Sequence, residues 1–340
     1  MSCLAVGIAV ILTPFLWRGV FAAWGPSSDQ FLPSYLPALE LSRERAAFDS
    51  GPLEGLGRMQ PQFVIIGDSM GGRVDVDRLT ALSGGPIAPV LQNATGSGWW
   101  YLAFKNYVVA SGIHPARVFV FFRDTNLTEP MFRLDGAYRL HLDEVARDRE
   151  PELNGVVAAR TVGAWYTVHD FVDRWYLAAR VRRWIEPIVA QWPIDFVRHS
   201  GSREQLLTRV NDAFALEHLR TMRQADVEAE EPDTDFSGNV GSSVLPLFIS
   251  LAREHQLKVC FIRVLRRPTD RQEPPPETTA LTKYVADLRA YLAASGVGYI
   301  DDRDDPALAT LPYADGDHIS RDATIPYTDR FWDKVQRLAP

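Results

Sequence analysis

The 340-residue sequence carries 36 Lys and Arg against 43 Asp and Glu, a formal net charge of -7, with 46% hydrophobic residues. Such a composition builds a sizeable core without staples. The absence of any long Lys/Arg cluster excludes a nucleic-acid surface, which needs a basic stripe to meet phosphates. The two cysteines, Cys3 in an N-terminal apolar stretch and Cys260 inside an apolar run, do not suggest a disulfide. The seven histidines lack the His-x-x-x-His or Cys-x-x-Cys spacings that put ligands on one face, so no metal or other cofactor is expected.

Residues 3–24 are apolar apart from Thr13 and Arg18, close to the roughly 20 residues that span a bilayer as a helix. They read as a transmembrane signal anchor that would hold the remainder outside the cytoplasm, in the periplasm or at the cell surface. Against this, Met1 and Ser2 supply no basic side chain, Pro14 sits inside the run, and Arg18 must snorkel. A cleaved signal peptide and a plain buried helix are the competing readings. Residues 25–61, rich in Pro and Ser with one predicted helix over 37–48, read as a stalk leading to a domain over 62–340.

From Gln62 onward, short β-rich runs alternate with helical patterns. Strands are expected over 63–66, 89–92, 117–122, 257–264 and 297–300, several of them continuous apolar runs, as in strands covered on both faces. Helices are expected over 99–110, ending at the stop signal Ser111-Gly112, over 244–255 and over 279–294. This is the pattern of an α/β fold, a three-layer, doubly wound, parallel five-stranded sheet. The alternation breaks over about 130–241, read as a mostly helical insertion. Its stretch 162–192 interleaves Trp165, Tyr166, Phe171, Trp175, Tyr176, Trp184 and Trp192 with Arg174, Arg180, Arg182 and Arg183. Two readings stand for that stretch: an amphipathic helix packed on the domain, or a surface that lies on lipid or on a membrane partner.

The chemistry-bearing residues lie at strand ends. Phe63-Val-Ile-Ile-Gly-Asp-Ser-Met-Gly-Gly72 places Ser69 just past the first predicted strand and ahead of a helical pattern, where an α/β sheet exposes side chains to ligand. A serine at a helix N-terminus has its own N–H and its neighbour's aimed at an oxyanion. A serine nucleophile needs a base oriented by a third group. Of the seven histidines only His318 follows an Asp by three residues, in Asp315-Gly-Asp-His318 after the fifth predicted strand. From that spacing Asp315 reaches one ring nitrogen and leaves the other for Ser69. The alternative makes His318 a surface histidine, Asp315 a turn residue and Asp317 a solvated charge.

In order, separation and context, these two blocks resemble the SGNH, or GDSL-type, hydrolase superfamily, whose sheet is flavodoxin-like. The resemblance implies a catalytic set of Ser69, His318 and Asp315, and an oxyanion hole formed by the Ser69 N–H, a glycine and an asparagine. Asn93-Ala-Thr-Gly-Ser-Gly98 looks like the family's second block, with Gly98 the donor and Gly96 the alternate. The third block departs from the family pattern: Arg123-Asp-Thr-Asn126 stands there, with Asn126 as the oxyanion amide. Asp68, Asn93, Arg123 and Asp124 are further residues that line the site, or in the case of Arg123 and Asp124 cap the strand.

An anchor, an exported SGNH domain and a helical segment look like the accessory proteins of alginate O-acetylation and teichoic acid D-alanylation. By that similarity the chain is an O-acyltransferase of an envelope or secreted polysaccharide, working with a membrane-bound O-acyltransferase. The alternatives are an esterase or deacetylase acting on carbohydrate or lipid esters, and a non-catalytic scaffold on the same fold.

Overall fold

The structure, a computed structural model, describes residues 47–130, 132–134, 139–147, 150–161, 233–266 and 276–338. Five strands, β1 (Phe63–Gly67), β2 (Ile87–Leu91), β3 (Arg117–Phe122), β4 (Val259–Arg263) and β5 (Gly298–Asp301), form one parallel sheet. Its order is β2-β1-β3-β4-β5, the flavodoxin-like doubly wound order, in which the direction of strand addition switches between β1 and β3.

The alternation of side chains along each strand divides the core in two. Val64 and Ile66 of β1, Val118, Val120 and Phe122 of β3 and Phe261 of β4 face one layer; Phe63, Ile65, Phe119, Phe121 and Ile262 face the other. The first layer is built by α1 (Gly51–Met59), α3 (Ser97–Ala103), α7 (Leu245–Glu254) and α8 (Thr279–Ala294). The second is built by α2 (Val76–Ser83) and α9 (Thr324–Gln336). Every residue of β1 and β4 is buried, which is why these strands read as unbroken apolar runs. β2 starts two residues before the predicted 89, with Pro89 inside it. As an edge strand it tolerates a residue without an N–H.

The helix expected over 99–110 begins at Ser97 and continues as a π-helical segment over Phe104–Val109 before Gly112, at φ +67, turns the chain. There Phe104 stacks on Phe248 of α7, their ring centroids 4.3 Å apart.

Two boundaries differ from expectation. Part of the segment read as stalk belongs to the domain: Leu56 of α1 is buried in the first layer, Phe48 packs on Tyr107 at 5.7 Å between centroids, and the Asp49 N–H donates to the Glu144 carbonyl at 2.8 Å. The described parts of the insertion also share the main core. They form α4 (Arg139–Val145), α5 (Pro151–Thr161) and α6 (Phe236–Val240), and bury Leu142, Val145, Leu153, Val157 and Phe236. The Arg160 guanidinium ties α5 to Asn239 Oδ1 at 2.6 Å, to the Thr128 carbonyl at 2.9 Å and to the Ser242 carbonyl at 3.1 Å.

The proposed anchor 3–24, nearly all of the helix expected over 37–48 and the aromatic-arginine stretch 162–192 lie outside the described residues. Among the described residues no helix is long and apolar enough to cross a membrane.

If α1 is part of the folded domain, Leu56→Ala will lower the unfolding free energy by about 2–5 kcal/mol, the usual cost of emptying a buried leucine site. Urea denaturation measures it. A change under about 0.5 kcal/mol, normal for an exposed site, would return residues 47–61 to the stalk.

Candidate active site

The serine turn is shaped by its neighbours. A Cβ at Gly67 would lie 3.2 Å from Phe121 Cβ, and one at Gly71 would lie 2.4 Å from Leu91 Cδ2, so the chain leaves β1 squeezed between β3 and β2. Asp68 is buried, and its carboxylate accepts the Met70 N–H at 2.9 Å, capping a 3-10 turn over Ser69–Arg73. This differs from the expected helix N-terminus, since α2 begins only at Val76. Because Asp68 takes the Met70 N–H, Ser69's own N–H is what the turn offers an oxyanion. Burial pushes the Asp68 carboxyl up, against the opposing pull of the Met70 N–H and of Arg123.

The histidine loop is closed by an antiparallel bridge between Tyr313 and Ile319 and by the Ala314 N–H donating to the His318 carbonyl at 2.8 Å. Inside it, Asp315 Oδ1 accepts the Asp317 N–H at 2.8 Å and the His318 N–H at 2.7 Å. The carboxylate is thus fixed before it meets the ring, where His318 Nδ1 lies 2.8 Å from Oδ2 and 2.9 Å from Oδ1. His318 Nε2 lies 2.8 Å from Ser69 Oγ. With Nδ1–H donating to Asp315, Nε2 is the acceptor for the serine hydroxyl. Partial burial pushes the Asp315 carboxyl up, but the Asp317 and His318 N–H groups and the His318 ring hold it below the usual carboxylate range. The pair is open to solvent, the side chains of His318 and Asp315 being 42% and 53% exposed.

Gly98 and Asn126 follow β2 and β3, the two neighbours of β1, so the strand order places both past the same edge of the sheet as Ser69. Asn126 is buried, and among the described residues its Nδ2 has no hydrogen-bond partner. A buried amide donor is normally satisfied, and an arriving oxygen would satisfy this one. Gly96 and Gly98 flank the start of α3, whose first turn has no side-chain cap. A Cβ at Gly96 would lie 2.6 Å from the Phe132 carbonyl, and one at Gly98 2.8 Å from Leu134 Cδ2, so each is pressed against a residue that follows β3. Asn93 is exposed beside Ala94, which has φ +60. Among the described residues no hydrogen bond joins it to Ser69 or His318.

Arg123 and Asp124 do something the sequence did not announce. Arg123 Nη1 donates to Asp317 Oδ2 at 2.5 Å, Arg266 Nε donates to Asp317 Oδ1 at 2.5 Å, and Arg266 Nη1 donates to Asp124 Oδ2 at 2.9 Å. Asp317, whose alternative reading was a solvated charge, is therefore gripped by two arginines. Burial raises its carboxyl, but Arg266 and Arg123 prevail and hold it low. Arg73, Arg266 and the structural part of Asp317 were not found in sequence, where no local spacing links residues 51 and 194 positions apart. Among the described residues no group of three or more His, Cys, Asp and Glu side chains is placed to hold a metal ion.

No family profile matches the chain, and no curated protein matches it. Among solved structures, a GDSL-like lipase from Bacteroides thetaiotaomicron aligns at 12% identity over 83% of this chain and 91% of its own, with a TM-score of 0.37. An acetyl xylan esterase aligns at 12% identity over 80% of this chain and 99% of its own, with a TM-score of 0.38.

The depressed Asp317 carboxyl contributes stability that is fully present above the ordinary aspartate value of about 4 and is lost as pH falls through the lower folded value. Asp317→Asn should therefore cost about 1.5–3 kcal/mol at pH 7, the scale of a charged hydrogen bond, and progressively less below pH about 4. Urea unfolding of both proteins from pH 7 to pH 3 checks this; a gap that stays constant or widens in acid contradicts it.

Proposed function

We propose that this chain is a serine acyl-transfer enzyme acting on carboxylic esters, a member of the SGNH superfamily its motif blocks resemble. The observation that carries the reading is the 2.8 Å contact of His318 Nε2 with Ser69 Oγ while Asp315 occupies the other ring nitrogen. As Oγ attacks the ester carbonyl, Nε2 takes the hydroxyl proton, and Asp315 stabilises the imidazolium. The tetrahedral oxyanion meets the N–H groups of Ser69 and Gly98 and the Nδ2–H of Asn126. Collapse breaks the bond to the alkoxy group, which leaves with the proton from Nε2, and the acyl group stays on Ser69. His318 then deprotonates the incoming hydroxyl as it attacks the acyl carbon, the bond to Ser69 Oγ breaks, and Nε2 returns its proton to Oγ, which restores the serine.

Water is that hydroxyl in our reading, because the exposed His318 and Asp315 give solvent free access to the base. O-acyl transfer to a polysaccharide, beside a membrane-bound O-acyltransferase and outside the cytoplasm, is the second reading. It is favoured by the apolar run over 3–24 and needs a sugar hydroxyl to compete with water.

The purified protein should hydrolyse short-chain nitrophenyl esters, and Ser69→Ala should lower kcat/KM by at least about 1,000-fold with the fold intact. Wild-type rates no higher than those of Ser69→Ala would remove the reading. Acetylated oligosaccharide among the products, at the expense of free acetate, would favour transfer over hydrolysis.

A further inference from the structure

We propose that Arg73 is the positioning residue that sets the distance between nucleophile and base, an inference that rests on the acyl-transfer reading of Ser69 and His318. Arg73 closes the 3-10 turn that Ser69 opens, and it is buried, at 4% exposure. A guanidinium presents its donors in a rigid planar fork, and here the fork is spread over three segments of chain. Nε donates to the Met70 carbonyl at 3.1 Å, one residue after the nucleophile. Nη2 donates to the Asp317 carbonyl at 2.9 Å, one residue before the base. Nη1 reaches the Leu265 carbonyl at 3.4 Å, just beyond β4.

The fork is itself held from below. Asp302, fully buried, lies 3.5 Å from Nη1, and the Tyr327 ring lies under the guanidinium carbon at 5.4 Å. One rigid group thus joins the turn carrying Ser69 to the loop carrying His318, across 244 residues of sequence. The histidine loop needs such a strut, because the side chains of Asp315 and His318 are too exposed to be located by packing. A lysine would keep the charge opposite Asp302 but not the fork, being a single-point donor. Slack of about 1 Å between reacting groups is worth about 100-fold in rate.

The test compares wild type, Arg73→Lys, Arg73→Gln and Ser69→Ala on a short-chain nitrophenyl ester, with near-UV circular dichroism to monitor the fold. Arg73→Gln should lose about 100-fold in kcat and Arg73→Lys about tenfold, while KM stays within about twofold of wild type. Labelling of Ser69 by a fluorophosphonate should slow in parallel. If Arg73→Gln does not fold, Arg73→Lys carries the comparison alone. A folded variant with wild-type kcat overturns the proposal, as does a loss confined to KM. Loss of folding in both variants also overturns it, since Arg73 would then hold the fold and not the Ser69 to His318 distance. A wild type no more active than Ser69→Ala would instead overturn the acyl-transfer reading, an outcome separate from the behaviour of Arg73.

Discussion

Two adjacent carboxylates at the end of β5, Asp301 and Asp302, are buried, and an unpaired charge in such a place would cost several kcal/mol. Their partners are therefore obligatory, and those partners organise the edge of the sheet that carries Ser69 and His318. Asp302 is met by Tyr327 Oη–H at 2.7 Å, by Lys334 Nζ at 3.1 Å and by Arg73. Asp301 is met by Tyr299 Oη–H at 2.9 Å and by Arg263, its register neighbour on β4, at 3.1 Å. Arg263 reaches on to Asp124 at 3.5 Å, Asp124 holds Arg266, and Arg266 holds Asp317. One route ends on the backbone of Asp317 and the other on its side chain. An exposed loop is thereby fixed by charges rooted in the core, which is how a site stays pre-organised without being enclosed.

The same network explains what could be read from the sequence. Asp315 and His318 belong to one turn, so their relation is written in a spacing of three. The grip on Asp317 comes from Arg123 and Arg266, which the chain brings back only by completing β3 and β4, and no local pattern records it. The continuous apolar character of β1, β3 and β4 announced a sheet covered on both faces, and the expected strands fall within two residues of those observed. Asn126 was legible as an amide after β3. That its Nδ2 finds no partner among the described residues is a property of packing alone.

The misreadings have physical causes too. α1 contains Gly51, Gly55 and Gly57, poor helix formers that argue for loose chain, and it is held in place by the burial of Leu56 rather than by propensity. The turn after Ser69 carries Gly71, which serves the close approach to Leu91 of β2, and the α-helix begins only at Val76. The helices of the insertion were visible as helices. Their burial was not, because their partners Trp99 and Tyr107 lie on another stretch of chain that no local pattern links to them.

That last arrangement bears on how the protein can be taken apart. The helices at either end of the insertion supply apolar side chains to the first core layer, and Asn106 Nδ2–H and Trp99 Nε1–H find their acceptors on the carbonyls of Val145 and His141, at 2.8 and 3.1 Å. A shortened chain that spliced residue 129 directly to residue 243 would remove both acceptors together with the buried side chains Leu142, Val145, Leu153, Val157 and Phe236. The insertion is thus not a module that can be excised to leave a minimal domain; its ends are part of the domain's own core.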